Sequence, residues 1–225
     1  MKRIAFKDAA ALAVASVFLF GCISSSQRTA RTLQPKQVTP TVSIGMLTHA
    51  EAEEPIFLND IGLHAGVAKG VELGIAHTAH LNPDESIPFS AFWFDSKFQL
   101  LNRDNEQGKV AISLGLSKGF VYDDDAEVHI TSLPITFSTD LSARTSAFLS
   151  YRPEFVSRDF MPDGESTEEP RHSFHVGIEG AMAKPDRERW TPRLNLSVGL
   201  VNKLAGGGDM DIFVVGLGLH LDSPF

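Results

Sequence analysis

The stretch DIFVVGLGLHLD (Asp211–Asp222) alternates without a slip. Phe213, Val215, Leu217, Leu219 and Leu221 share one parity, and Ile212, Val214, Gly216, Gly218, His220 and Asp222 share the other. Successive side chains of a strand point to opposite faces, so this pattern predicts a strand with one bulky apolar face and one mixed face rich in small residues. The preceding segment repeats it, with Leu194, Leu196, Val198 and Leu200 set against Arg193, Asn195, Ser197, Gly199 and Lys203. Farther back, Val110, Ile112, Leu114 and Leu116 oppose Lys109, Ala111, Ser113, Gly115 and Ser117. Phe174, Val176, Ile178 and Met182 likewise oppose Ser173, His175, Gly177 and Glu179.

Ten such runs cover the chain, at approximately 41–48, 60–69, 71–81, 87–101, 109–122, 127–141, 144–158, 171–184, 191–204 and 209–222. Period-two alternation repeated this often indicates strands, and few helical stretches compete. Turn signals part the runs: Lys69-Gly70, Asn82-Pro83-Asp84-Glu85, Arg103-Asp104-Asn105 and Gly206-Gly207-Gly208. The expected fold is all-β, an antiparallel up-and-down barrel of about 8–10 strands, because closure removes both exposed edges.

The less apolar face decides which side is inside. On a soluble barrel it would meet water and carry Lys, Glu, Thr and Gln. Here it is mostly small: Gly62, Gly66, Gly74, Ala76, Ala111, Ser113, Gly115, Ser117, Gly177, Ser197, Gly199, Gly216 and Gly218. Small residues fit a narrow lumen, and bulky ones facing outward fit hydrocarbon, so the barrel is of the membrane type. The rival reading is a soluble lipocalin-like barrel on a lipid tether, binding an apolar ligand in the periplasm.

The N-terminus supplies the compartment. Lys2, Arg3 and Lys7 precede an apolar run from Ala9 to Phe20, the layout of a secretory signal peptide. The chain's single cysteine, Cys22, follows Gly21. Residues Leu19-Phe20-Gly21-Cys22 resemble the lipobox of bacterial lipoproteins. That resemblance implies removal of residues 1–21, a diacylglyceryl group on the Cys22 thiol, and a fatty acid such as palmitate on its new amino group. Ile23 stands where lipoproteins kept in the inner membrane of enteric bacteria often have Asp, so the resemblance directs the chain to the outer membrane. Residues 22–40 are polar and proline-punctuated and read as the lipidated end plus a flexible tether, leaving 41–225 as the barrel domain. The terminal Phe225 behind the last strand resembles the signal by which outer-membrane barrels are recognised for assembly. Ser223 departs from that pattern, since a large apolar residue is usual at its place.

The formal net charge is −8 and grows more negative once Lys2, Arg3 and Lys7 leave with the signal. Affinity for nucleic acid depends on neutralising phosphates, so that partner class is excluded. The expected partner is outer-membrane lipid, with a surface ligand possible through two acidic loops, HAEAEEPIFLND (49–60) and RDFMPDGESTEEP (158–170). An even strand count puts both ends of the barrel on one side and these loops on the other. Lys118 falls on the lipid-facing parity, near the outer end of its strand.

Candidate chemistry is sparse. Lumen-parity charges are Glu72, Asp95, Lys97, Arg144, Arg152, Glu154, Glu179, Arg193 and Lys203. A hairpin centred near residue 165 would bring Arg152 opposite Glu179 and Glu154 opposite His175, a cluster that reads as a polar plug before it reads as a catalytic site. The histidine pairs 77/80 and 172/175 are three apart, which on a strand sends the rings to opposite faces, so no metal site is expected. Asp123-Asp124-Asp125 and Asp209-Met210-Asp211 sit at expected loop ends and read as solvated charge. No catalytic motif calls for a cofactor. The expected role is non-catalytic: envelope structure, surface interaction or a very narrow pore, with a small enzyme acting on lipid or peptide as the remaining alternative.

Overall fold

A computed structural model describes residues 28–49, 55–80, 90–105, 108–123, 126–160, 166–183, 189–203 and 212–224. The signal-like segment, Cys22, and most of the two aspartate-rich stretches lie outside these residues. The strands are β1 (Val38–His49), β2 (Ile56–Ala68), β3 (Val71–His80), β4 (Ser90–Asn105), β5 (Gly108–Asp123), β6 (Ala126–Ser132), β7 (Ile135–Asp140), β8 (Thr145–Phe160), β9 (Ser166–Ala181), β10 (Thr191–Lys203) and β11 (Ile212–Asp222). Except for β6 and β7, which do not pair with each other, each strand pairs antiparallel with its sequence neighbours, and β1 pairs with β11, so the sheet closes on itself.

β6 and β7 are two halves of one wall strand, since both lie between β5 and β8, and the barrel therefore has ten strands. The break falls at Leu133-Pro134, where proline cannot donate to the ladder. Two backbone bonds cross it: Gly115 N–H donates to the Pro134 carbonyl at 2.7 Å, and Leu133 N–H to the Pro153 carbonyl at 3.0 Å. Bulges at Gly66/Ala68 and Gln99/Leu101 add curvature.

The ten expected runs match the ten wall strands, but several strands are longer than the alternation. β2 already includes Ile56–Asp60, β8 runs to Phe160 and β9 begins at Ser166. Much of both acidic stretches is thus strand rather than loop. Alternation marks only the part of a wall with two unlike environments; beyond it, ladder hydrogen bonds extend the strand without an apolar pattern.

The faces fall as the parity requires. Val42, Ile61, Phe94, Phe155, Val176 and Leu217 point outward and are about half exposed (50, 55, 57, 54, 54 and 49 %). Soluble proteins rarely expose contiguous apolar patches beyond a few hundred Å², and this one encircles the molecule. The soluble rival is disfavoured by that exterior. Lys118 points outward within the belt, its Nζ donating to Thr131 Oγ1 at 3.1 Å and lying 5.8 Å from the Phe120 ring centre. His172 also faces outward, stacked on Tyr151, whereas His175 is buried inside.

Residues 28–37 are a strap docked in the barrel's terminus-side end. Arg28, Thr29, Ala30, Leu33 and Gln37 are buried. The tether expected over 22–40 is therefore held in place from Arg28 onward. The strap turns at 34–37, with Lys36 at φ 73° and Gln37 N–H donating to the Gln34 carbonyl at 3.0 Å. Gly66 N–H donates to the Gln37 carbonyl at 2.9 Å, and Lys36 N–H donates to the Gly66 carbonyl at 2.8 Å. A Cβ at Gly66 would collide with the Gln34 carbonyl, so only glycine allows this approach. Ser223 closes the turn: its hydroxyl accepts from Val38 N–H at 2.8 Å and its carbonyl from Gln37 Nε2 at 3.1 Å.

Candidate functional site in the barrel lumen

The lumen is layered along its axis. At the terminus end, Glu72 collects donors from three elements. Arg28 Nη1 lies 2.6 Å and Lys97 Nζ 3.4 Å from Glu72 Oε1, and Leu33 N–H donates to Oε2 at 3.0 Å. His64 Nδ1 is 3.5 Å from Oε1. Around the rim, Arg193 reaches Asp222 at 2.6 Å and Glu179 at 3.2 Å, while Thr39 Oγ1 donates to Asp222 at 2.8 Å.

The middle layer is buried and polar. Trp93 Nε1 donates to Thr78 Oγ1 at 3.1 Å, and Thr78 donates onward to Asp60 Oδ1 at 3.0 Å. Arg152 stands with its guanidinium 5.8 Å from the Trp93 ring centre and its Nε 3.1 Å from Glu154 Oε1. This contact is an ion pair rather than an aligned hydrogen bond, because Arg152 Nε and Glu154 Oε1 have no hydrogen-bond partner. Arg152 Nη2 approaches Ser117 Oγ at 3.5 Å. Alternation explains the pair: residues 152 and 154 on one strand share a face.

The loop-side layer is apolar. Leu47, Leu58, Val121, Ile130, Val156 and Val201 are among the buried side chains that close over Trp93 as a packed core. A cavity of about 30 Å³ lies beside the strap, lined by Arg28, Glu72, Asp95, Lys97, Ser113 and Thr136 among others. That is room for about two waters.

The expected cluster is divided. Arg152 and Glu154 are adjacent, but the β8–β9 register sets Arg152 opposite Ser173, Glu154 opposite Arg171, Ser150 opposite His175 and Ser146 opposite Glu179. The hairpin centre therefore lies nearer the N-terminus than residue 165. Glu179 meets Arg193 instead, and His175 packs over Gly199. Arg144 is exposed at the β7–β8 turn rather than in the lumen. Asp60, Thr78 and Trp93 are hidden in the sequence among ordinary inward positions, and Arg28 lies in a segment without periodicity. The one available signal for the strap was Glu72 and Lys97 at facing lumen positions.

Trp93 makes a sharp test of this packing. Its ring covers Gly119, where a Cβ would collide with the six-membered ring. Gly119→Ala is expected to cost about 1–3 kcal/mol by overpacking, measured as a lower urea midpoint for the folded, heat-modifiable gel species.

No protein-family profile matches the chain, and no curated protein resembles it in sequence. Similarity appears among solved structures. The outer membrane protease OmpT from Escherichia coli aligns over 88 % of this chain and 100 % of its own, at 9 % identity and TM-score 0.45. The translocator domain of the autotransporter NalP from Neisseria meningitidis aligns over 97 % and 98 %, at 10 % identity and TM-score 0.43. Neisserial surface protein A aligns over 84 % and 96 %, at 8 % identity and TM-score 0.39. The fold itself, a closed antiparallel barrel of ten strands, rests on the strand pairings above. At these identities the likeness concerns fold alone.

Proposed function

We propose that this protein is a bacterial outer-membrane lipoprotein whose barrel is a sealed, non-catalytic anchor that presents surface loops. The observation that carries this reading is the lumen, obstructed by the strap at one end and by a packed apolar layer at the other. Membrane spanning is supported by the apolar girdle, because a chain in hydrocarbon must satisfy its backbone internally and closure does so. Among the described residues, Arg152, Glu154 and His175 are buried beneath the apolar layer, which favours a structural plug over an enzyme. Cys22 would add a second hold on the membrane, and the acidic ends of β1–β2 and β8–β9 would meet the surface ligand.

Reconstitution into a planar bilayer is the test. The full-length protein should insert, shift its gel mobility on heating and give no steady single-channel current. Regular openings at neutral pH would overturn the sealed reading. Lipidation has its own readout: the N-terminal peptide of membrane-extracted protein should carry three acyl chains, lost in Cys22→Ala.

A further inference from the structure

The strap raises a question the sealed-barrel reading leaves open. Its contacts in the lumen are mainly polar and come from few groups. Arg28 meets Glu72 at 2.6 Å, Arg31 meets Asp140 at 2.9 Å, and Thr32 Oγ1 donates to Gln99 Oε1 at 3.1 Å. Two backbone amides are read as well: Ala30 N–H donates to Ser138 Oγ at 3.2 Å and Leu33 N–H to Glu72 Oε2 at 3.0 Å. Only Ala30 and Leu33 contribute buried apolar side chains. None of these bonds belongs to the barrel ladder, so residues 28–33 can leave without unzipping a strand, while Lys36 and Gln37 stay bonded to Gly66.

The decisive feature is what Glu72 keeps when Arg28 goes. Lys97 Nζ stands 3.4 Å from the same carboxylate oxygen and donates also to the Thr29 carbonyl at 3.3 Å. Removing one partner of a buried ion pair is costly when the other is left uncompensated. Here the carboxylate retains a cation, so both the docked and the open arrangement have a paired Glu72. The adjacent cavity of about 30 Å³ gives water a foothold beside Arg28. A binding site with two paired states is an exchangeable one.

We infer that the terminus-side lumen is a peptide-binding cup for an arginine-bearing segment looped over Glu72, occupied in cis by residues 28–33 and recognised through Glu72 and Asp140. The guanidinium and amide contacts to one carboxylate read both a side chain and a backbone, which distinguishes a looped peptide from a lone guanidinium. Emptied, the cup is blind, because the apolar layer above it stays packed.

The experiment uses the full-length folded protein carrying Ser113→Cys, with the unsubstituted chain as the baseline for Cys22. Ser113 lines the cavity beside Arg28 and is 1 % exposed. A small water-soluble maleimide should label it slowly. Adding Arg28→Ala and Arg31→Ala should raise the rate by at least about tenfold, as expected for a population shift toward the open cup. A synthetic peptide RTARTLQPKQ should slow the label again, and the same peptide with both arginines replaced by alanine should not. An unchanged rate in the strap variant, or equal action of the two peptides, overturns the inference. Hydrogen exchange on the unsubstituted protein gives a check that no variant can spoil by misfolding. The Ala30 and Leu33 amides should exchange faster than those of the β1–β2 ladder; exchange as slow as the ladder makes the strap a permanent wall component and sinks the proposal.

Discussion

Arg152→Ala should be the most damaging single substitution in the lumen, lowering the unfolding free energy by about 3 kcal/mol, the lower end of the usual cost of breaking a buried ion pair. Arg152 and Glu154 are 0 % and 1 % exposed, so neither charge can turn to water once its partner is gone. The ring of Trp93 loses its guanidinium neighbour too, a contact that contributes about 2 kcal/mol when desolvated. Arg171, opposite Glu154 across the β8–β9 ladder, moderates the loss only in part, because its Nη2 is already held 2.7 Å from Glu169. The control is the double variant Arg152→Met with Glu154→Leu. Replacing a buried pair by apolar residues of similar size is often neutral or stabilising, and the misaligned geometry of this pair makes it a weak bond to lose. Urea titration of bilayer-folded protein, read by heat-modifiable mobility, measures both. A single variant as stable as the parent would mean that the two charges are hydrated, and the sealed lumen would fail with it.

How much of this could be read beforehand depends on whether a segment touches two environments or one. β11 touches hydrocarbon on one face and lumen on the other, and its strict alternation gave strand, parity and inside from sequence alone. The strap, residues 28–37, touches only lumen, so no periodicity distinguishes its polar, proline-containing string from a free tether. The Arg152 cluster falls between these cases. Parity placed Arg152, Glu154, His175 and Glu179 inward, all of them buried. Which charges met across strands depended on the β8–β9 hairpin centre, and the acidic ends of both strands carry no apolar marks that locate it. A shift of a few residues in register moves a partner by one pair spacing per residue, enough to hand Glu179 from Arg152 to Arg193. The apolar layer was hidden for a related reason: Leu47, Leu58 and Val201 are apolar on the inward parity, where they weaken the alternation rather than announce a core.

The exterior gives the other large effect. Leu217 sits at the middle of β11, paired with Ile44 on β1 and Leu196 on β10, and all three are about half exposed. In water, an arginine at such an exposed position changes stability by about 0.5 kcal/mol or less, since the long side chain simply extends into solvent. In a bilayer the same side chain stands near the midplane, and Leu217→Arg is expected to cost about 2–4 kcal/mol. Depth supplies the internal control. Thr48 also faces outward but lies near the loop end of β1, beside Phe213. Thr48→Arg should cost no more than about 1 kcal/mol, because a guanidinium there reaches the headgroups. Unfolding free energies of the two variants in phosphatidylcholine bilayers, compared with the parent, therefore measure how deep each position lies. A difference of several kcal/mol between Leu217→Arg and Thr48→Arg is the signature of hydrocarbon around the girdle. Equal, small losses at both would mean that the exterior meets water, and neither the outer-membrane placement nor the reading of the lumen as an enclosed plug would then stand.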